Sequence, residues 1–227
     1  MLKIEKTVLP SPEQWEIIIE GMRNPMNSHG RSDSGWEPQF DTAQGPVSGE
    51  FVIGPNDHDL MMRLSNAGTD HRKFMRMIVV YVDILAPLYW WKEFDTYKVG
   101  TVANSCSTMH KIAAKEFTLE DFSHEHLTDE FALSNAESPI NVMEHMIYYL
   151  NFCRSLYLER KDKKYWWQMI QLLPSSYNQK RTVMLNYEVL ASIYHSRNNH
   201  KLDEWRTFCD WTRNLPYSDM IIRGKQK

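Results

Sequence analysis

The sequence predicts a domain that contains both α-helices and β-strands. Helix-start signals precede apolar residues at helical spacing at several points, and a run of β-branched and aromatic residues lies between them. The chain has 227 residues, of which 42% are hydrophobic and 24% are charged. A chain of this size and composition buries a substantial core without disulfide or metal support. We therefore expect one domain over residues 1–227.

The first predicted helix begins at Ser11, which is followed by Pro12 and then by Gln14. A serine cap, a first-turn proline and a glutamine three positions after the cap are typical of a helix start. Residues at helical spacing then predict a buried face that ends near Arg23: Trp15, Ile18, Ile19 and Met22.

Residues 24–49 are rich in Asn, Ser, Asp, Gly and Pro and show neither the helix nor the strand period. This composition predicts a long surface loop, a kind of segment that is often functional. Beyond it we expect a short strand over 50–53 and a short helix over 57–66. The inward residues of that helix are Leu60, Met61 and Leu64.

The strongest strand pattern is the β-branched and aromatic run over 74–85, which predicts a buried strand, with another state left open for its first half. The most secure helix starts at Ser138-Pro139 and continues to about Arg160, with apolar residues at helical spacing on one face. Two further helices are predicted over 178–197 and 202–214.

Several classes of protein are disfavoured by composition. The net charge of −3 gives no bulk attraction to phosphate backbones or anionic lipid. Cys106, Cys153 and Cys209 are widely spaced, which indicates reduced thiols. The longest apolar stretch, 77–91, is short and contains Asp83, and the first residues lack the pattern of a signal peptide. We expect a soluble cytoplasmic protein with no nucleic-acid or membrane partner.

Common catalytic motifs are absent: the sequence has no Gly-rich phosphate loop, no GxSxG and no HExxH. His124 and His126 would bind a metal only with a third ligand from elsewhere, so no metal site is assigned. The polar segment 96–108 follows the aromatic run Tyr89-Trp90-Trp91. It either holds a phosphate and a heterocycle or connects core elements through hydrogen bonds. The aromatic run either lines that site or belongs to the core.

A second polar cluster lies near the C-terminal end and comprises Asn186, Arg197, His200, Glu204 and Arg206. Its alternative interpretation is a solvated surface in which the arginines pair with Glu204.

These two clusters, in this order, resemble the flavin-dependent thymidylate synthases, the ThyX family, over about residues 58–214. The family signature is Arg-His-Arg, seven residues, then Ser. Here Tyr97-Lys98-Val99, seven residues and Ser107 fall in register, and Asn104 matches the family asparagine. Downstream, the family order of Leu-Pro, Asn, Arg and His-x-x-x-Glu-x-Arg is matched by Leu173-Pro174, Asn186, Arg197, His200, Glu204 and Arg206. Upstream, Gly68 and His71 are similar to its Gly-His segment.

The chain departs from the family at several charged positions. Of Arg-His-Arg, only Lys98 keeps a cation, and Met109 and Glu188 stand where the family has arginine. Each charge-assisted hydrogen bond contributes roughly 1.5–3 kcal/mol, so these changes weaken the hold on an anion. Lys98, Lys73 and Arg76 compensate in part. The chain is therefore similar to a divergent branch of the family.

The resemblance implies an α+β fold in which a twisted, mainly antiparallel sheet packs with long helices, assembled as a homotetramer with shared active sites. It also implies reductive methylation of dUMP to dTMP with FAD, methylenetetrahydrofolate and NADPH. The implied catalytic residue is Arg197, which would hold the pyrimidine oxygen where negative charge develops. Implied nucleotide ligands are Lys98, Ser105, Ser107 and Arg197, and implied flavin ligands are His71, Lys73, Lys98, Asn186, Ser192 and His200.

Two alternatives stay open because of the altered signature. One is a flavin-dependent enzyme that acts on another pyrimidine nucleotide or adds a different one-carbon group. The other is a non-catalytic nucleotide-binding relative that has lost flavin.

Overall fold

The fold is described from a computed structural model over residues 1–41, 45–130 and 137–223, without the side chains of residues 39–48. The strands are β1 (Lys3–Val8), β2 (Gly35–Asp41), β3 (Gly45–Val52), β4 (Val79–Pro87), β5 (Val102–Ser105) and β6 (Asn178–Asn186). The helices are α1 (Pro12–Arg23), α2 (Pro55–Asn66), α3 (Leu88–Phe94), α4 (Thr108–Lys111), α5 (Pro139–Arg160), α6 (Lys163–Leu172), α7 (Tyr187–Arg197), α8 (Asp203–Arg213) and α9 (Asp219–Ile222). Short 3₁₀ turns lie at Asn24–Met26, His29–Arg31, Arg72–Arg76 and Leu119–Asp121.

The main sheet has four strands in the order β1-β4-β6-β5. Strands β4 and β6 run antiparallel, because Tyr187 N donates to Ile78 O while Leu88 N donates to Tyr177 O. Helices and a mainly antiparallel sheet together confirm the α+β class that the sequence predicts.

The start of α1 confirms the predicted capping box. The Ser11 hydroxyl accepts from Gln14 N at 3.3 Å, and Gln14 Oε1 accepts from Ser11 N at 2.8 Å. The predicted inward face is buried in full: Trp15, Ile18, Ile19 and Met22. Helix α5 begins at the predicted Pro139 behind its Ser138 cap and ends at Arg160, so that prediction is also confirmed.

The prediction of a long loop over 24–49 is wrong for the described part of that segment. Two 3₁₀ turns are followed by the hairpin of β2 and β3, in which Trp36 pairs with Phe51 and Glu37 pairs with Glu50. The backbone hydrogen bonds between the strands stabilise the hairpin although its side chains show no regular alternation. The ring centroids of Trp36 and Phe51 lie 5.8 Å apart across the two strands. Residues 42–44 lie outside the described residues.

The predicted helix over 178–197 is wrong in its first half. Residues Asn178–Asn186 form strand β6, and the helix α7 begins only at Tyr187. Strong helix formers such as Lys180 and Leu185 suggested a helix, but Val183 and Leu185 are buried at the strand period of two. Pairing of this segment with β4 on one side and β5 on the other therefore outweighs its local helix propensity.

The predicted strand over 74–85 is shifted. Its first residues form the 3₁₀ turn Arg72–Arg76, and the strand itself begins at Val79. The alternating residues Val80, Val82 and Ile84 are buried, as expected for a strand with one face in the core.

The chain forms two compact units. Unit 1 comprises Met1–Glu5, Asp83–Thr96 and Asn104–Thr182, and unit 2 comprises Lys6–Val82, Tyr97–Ala103 and Val183–Lys227. The core of unit 1 is a cluster of Ile112, Phe117, Phe122, Leu150, Cys153 and Met169. In unit 2, Trp15 packs edge-on against Tyr187 and Tyr217. The expectation of a single domain stays a prediction.

Within the described ranges, no helix combines the length and the apolar character that crossing a membrane requires.

Candidate functional site

Helix α7 organises most of the predicted site residues in unit 2. Asn186 is its N-cap: the Asn186 Oδ1 atom accepts from Val189 N at 3.0 Å, and Nδ2 lies 3.5 Å from Gly100 O. Gly100 has φ +79, and a Cβ atom there would lie 2.8 Å from Asn186 Nδ2 and 2.9 Å from Val189 Cγ2. Only glycine allows the loop this close to the helix start without strain.

The other end of α7 holds the same loop through Arg197. Its Nε atom donates to the Tyr97 hydroxyl at 2.9 Å, and its guanidinium lies 4.9 Å from the centre of a Trp205 ring. Lys98, which lies between the two anchored positions Tyr97 and Gly100, is exposed. The loop is therefore fixed along α7 while the lysine stays accessible.

His200 lies just beyond α7. Its backbone N–H donates to Arg197 O at 3.0 Å, its ring Nδ1 accepts from Leu202 N at 3.2 Å, and the ring meets Trp205 edge-on. An accepting Nδ1 leaves the proton of the neutral ring on Nε2. Ser192 is partly buried in the middle of the same helix.

A charged cluster packs at the first turn of α7. Glu188 accepts from Arg76 through both carboxylate oxygens, and Arg72 Nε lies 3.6 Å from Glu188 Oε1. The Glu188 carboxylate raises the pKa of the Arg76 guanidinium through this hydrogen bond. The predicted flavin ligands His71 and Lys73 flank Arg72 and are exposed.

Seven of the nine predicted site residues thus lie on or around α7 in unit 2, whereas Ser105 and Ser107 belong to unit 1. Ser105 is exposed at the end of β5. Ser107 is the N-cap of α4 and accepts from His110 N at 3.2 Å. It also lines a cavity of 480 Å³ in unit 1, with Lys111, Tyr177 and Lys180.

Sequence reasoning missed several of these partners. Tyr97 was noted only as a position where an arginine is lost, yet its hydroxyl is the acceptor for Arg197. Lys111 lies four residues after Ser107, so helical spacing from that serine was a usable signal. No signal in the sequence points to Tyr177 or to Lys180, and Lys180 lies on strand β6, for which the sequence predicts a helix.

The aromatic run after β4 belongs to the core. Trp90 and Trp91 are fully buried, and Trp91 Nε1 donates to Gln179 O at 2.8 Å. Of the two interpretations that the sequence allowed for these tryptophans, the core is the correct one. Among the described residues, no group of three His, Cys, Asp or Glu side chains is arranged to hold a metal ion.

Comparison with known proteins identifies the fold. Two crystal structures of thymidylate synthase X (ThyX) from Helicobacter pylori with FAD and dUMP match this chain with TM-scores of 0.63 and 0.60. Each match covers 97% of this chain, and 95% and 96% of the respective ThyX chains, at 15% sequence identity. No family model matches the chain, and no curated protein matches it. The chain therefore has a ThyX-like fold.

The arrangement around α7 suits an anionic, planar ligand. Lys73 and Lys98 are exposed cations, and Arg197 is oriented by a tyrosine hydroxyl and an indole ring. Exposed lysines fit the diphosphate of a dinucleotide such as FAD, as point charges without the bidentate geometry of arginine. The residues of unit 2 therefore fit a flavin dinucleotide in chemical type.

Proposed function

We propose that this chain is a flavin-dependent enzyme of the ThyX type that converts dUMP to dTMP, with FAD as cofactor and methylenetetrahydrofolate and NADPH as co-substrates. The observation that carries the proposal is the fold shared over 97% of the chain with ThyX in complex with FAD and dUMP. Arg197, held by Tyr97 and Trp205, supports it further.

Arg197 has the central chemical role in this proposal. When bound, FAD would supply the reducing equivalent for the pyrimidine ring. Arg197 would hold the pyrimidine oxygen on which negative charge develops. Because Tyr97 and Trp205 fix the guanidinium before any ligand arrives, little reorganisation accompanies the reaction.

The remaining residues are proposed as ligands. In unit 2, His71, Lys73, Asn186, Ser192 and His200 would contact FAD, and Lys98 would contact both FAD and the nucleotide. In unit 1, Ser105 and Ser107 would contact dUMP. Asn186 and His200 already hold the backbone, so their contacts to flavin would use the Nδ2 and Nε2 atoms.

We also propose that the protein is a cytoplasmic homotetramer with shared active sites. Support comes from α5, whose exposed apolar side chains are unusually many for a surface helix: Val142, Tyr148, Tyr149, Phe152 and Leu158. Exposed apolar patches of this kind mark protein interfaces more often than free surface.

A second candidate is a nucleotide-binding relative without flavin. It is favoured because residues around α7 that would face the flavin already make structural contacts. Asn186 caps α7, and His200 accepts from Leu202 N. Glu188 forms an ion pair with Arg76. A flavin enzyme acting on another pyrimidine nucleotide is the third possibility, because the altered signature changes the groups that meet the substrate.

Visible absorption spectroscopy tests the proposal and separates these candidates. The protein would be purified without added cofactor, incubated with FAD, and then titrated with dUMP and with other pyrimidine nucleotides. A flavin spectrum that changes with dUMP, followed by dTMP formation, supports ThyX chemistry. A protein that refuses FAD contradicts it and leaves nucleotide binding alone.

Arg197→Ala tests the catalytic assignment. We expect turnover to fall by about 10²-fold or more while flavin stays bound, because a donor aimed at developing charge is lost. Arg213→Ala is the matched control: Arg213 Nε donates to the Tyr194 hydroxyl at 2.9 Å and its guanidinium lies 5.3 Å from that ring. Both variants lose a similar structural contact, so normal turnover in Arg197→Ala would show that the assigned register is wrong.

A further inference from the structure

The cavity of 480 Å³ in unit 1 has the size of a small-molecule site, since such sites measure roughly 300–1,000 Å³. Leu85, Ile112 and Tyr177 contribute apolar wall, and Ser107 and Lys111 contribute polar groups. Burial raises the pKa of the Tyr177 hydroxyl, which therefore stays neutral. A cavity with apolar walls and a few converging polar groups suits a planar ligand with a charged end.

The wall that carries Ser107 is fixed by hydrogen bonds to β6. Cys106 N donates to Lys180 O at 3.0 Å, and Gln179 Nε2 donates to Cys106 O at 3.0 Å and to Thr108 Oγ1 at 3.1 Å. The start of α4 is therefore held in place before any ligand binds. Prior fixation of this kind lowers the entropic cost of binding.

Three lysines line the cavity, but they differ in their partners. Lys115 pairs with Asp121, and Lys180 pairs with Glu5 at 2.5 Å. Among the side chains that the structure describes, none forms an ion pair with Lys111. Its ammonium group is therefore the cavity cation that is most available to a new anion.

Ser107 and Lys111 lie one helical turn apart, with Lys111 N donating to Ser107 O at 3.2 Å. The Ser107 hydroxyl accepts from His110 N, and a hydroxyl that accepts one bond still has its proton to donate. A hydroxyl donor and an ammonium group at the same cavity are suitable ligands for a phosphate.

We propose that Lys111, together with Ser107, binds the phosphate of a pyrimidine nucleotide at this cavity. This inference rests on the proposed function, because it names the residues that hold the phosphate of its substrate. Met109, which is exposed at the position where the resemblance implies arginine, supplies no charge. Lys111, two residues further on, supplies it instead.

The reactivity of Cys106 gives a direct measure of occupancy. Cys106 lines the cavity and is exposed, whereas Cys153 and Cys209 are buried. Burial raises the pKa of both buried thiols, that of Cys209 to about 11, so a thiol reagent at neutral pH modifies Cys106 first. The rate of Cys106 modification, read by mass spectrometry, would be measured with dUMP and with deoxyuridine, which lacks the phosphate.

We expect dUMP to protect Cys106 at a concentration at least tenfold lower than deoxyuridine does. Lys111→Gln should raise the half-protecting dUMP concentration about tenfold or more and leave that of deoxyuridine unchanged. Lys111→Arg should restore protection, because it keeps the charge. Lys115→Gln is the matched control and should change the dUMP concentration less than threefold, because Lys115 is already paired with Asp121.

The outcomes separate this inference from the proposed function. If dUMP protects the wild type and Lys111→Gln equally, the assignment of Lys111 is overturned and the proposed function survives. If dUMP changes the flavin spectrum without protecting Cys106, the nucleotide binds elsewhere and the inference is overturned. If dUMP does neither, both fail. Thermal unfolding of each variant checks that the fold is retained.

Discussion

A buried ion pair in unit 2 gives the sharpest prediction of stability. Arg23 is 4% exposed and Asp57 is 0% exposed, and Arg23 Nε donates to Asp57 Oδ1 at 2.5 Å. The other carboxylate oxygen of Asp57 accepts from the hydroxyls of Ser32 and Ser34, both at 2.6 Å. The pair therefore ties the end of α1 and the segment before β2 to the first turn of α2.

Asp57→Asn removes the negative charge and leaves the side chain nearly the same shape. Breaking one partner of a buried pair costs about 3–5 kcal/mol, because the remaining charge stays desolvated and uncompensated. Arg23 meets this condition at 4% exposure. For a protein of this size each kcal/mol lowers Tm by about 2–4 °C, so we expect a loss of about 10 °C.

Urea unfolding followed by tryptophan fluorescence measures the loss. Asp210→Asn is the control, because the Asp210–Arg213 pair is exposed by 63% and 44% and such pairs contribute less than about 1 kcal/mol. A free energy of unfolding for Asp57→Asn within 1 kcal/mol of the wild type would refute the reasoning.

The same pair predicts a pH dependence. Burial alone would raise the pKa of Asp57, but hydrogen bonds from Ser32, Ser34 and Arg23 outweigh it, and the pKa lies below its ordinary value. A carboxyl group of this kind stabilises the folded state above its unfolded pKa of roughly 3.9, and the contribution is lost as the pH falls through the lower folded pKa. The difference between wild type and Asp57→Asn should therefore be constant from about pH 5 to 8 and shrink below about pH 4. A difference that grows in acid would contradict this sign.

Three further outcomes follow from the site and from α5. Gly100→Ala should lower the free energy of unfolding in urea by about 2–4 kcal/mol, because Gly100 has φ +79 and a Cβ atom there would lie 2.8 Å from Asn186 Nδ2. Gly30→Ala is the control and should leave it unchanged, because nothing lies within 4 Å of a Cβ atom at that position. Asn186→Ala should cost about 0.5–2 kcal/mol through the lost helix cap, and Asn186→Asp should keep it; equal losses would argue against the cap. Tyr149→Glu should shift the mass measured by light scattering towards the monomer, because Tyr149 is 58% exposed on α5; an unchanged mass would exclude α5 from the interface.

The elements with strong local signals were predictable from the sequence. Helix α1 carries a complete capping box, and α5 carries a serine cap with a proline, so their starts follow from residues close together in the chain. The hairpin of β2 and β3 and the strand β6 were not predictable in this way. Strands β2 and β3 pair with each other without a regular side-chain alternation, and β6 pairs with the strands β4 and β5, which lie far away in the chain; local composition encodes neither pairing.

In the candidate site too, the local arrangement was predictable from the sequence and the long-range contacts were not. The order of Asn186, Arg197 and His200 along the chain was sufficient to bring them to one helix and the turn after it. The partners of that helix were not accessible to sequence reasoning, because Tyr97 lies 100 residues before Arg197. The cavity in unit 1 was not predictable for a similar reason: Lys180 lines it together with Lys111 only because β6 is a strand.

The pairing of Arg76 with Glu188 changes how the departures from the family are weighed. From the sequence alone, Glu188 counts as a lost arginine and Arg76 as a cation that compensates in part. In the structure the two side chains form an ion pair, and Arg72 Nε lies 3.6 Å from the same carboxylate. Guanidinium groups therefore lie beside the first turn of α7 although Glu188 itself carries a negative charge. Because Arg76 and Arg72 bring positive charge to the place where Glu188 stands for an arginine, a count of missing arginines overstates the loss of positive charge around α7.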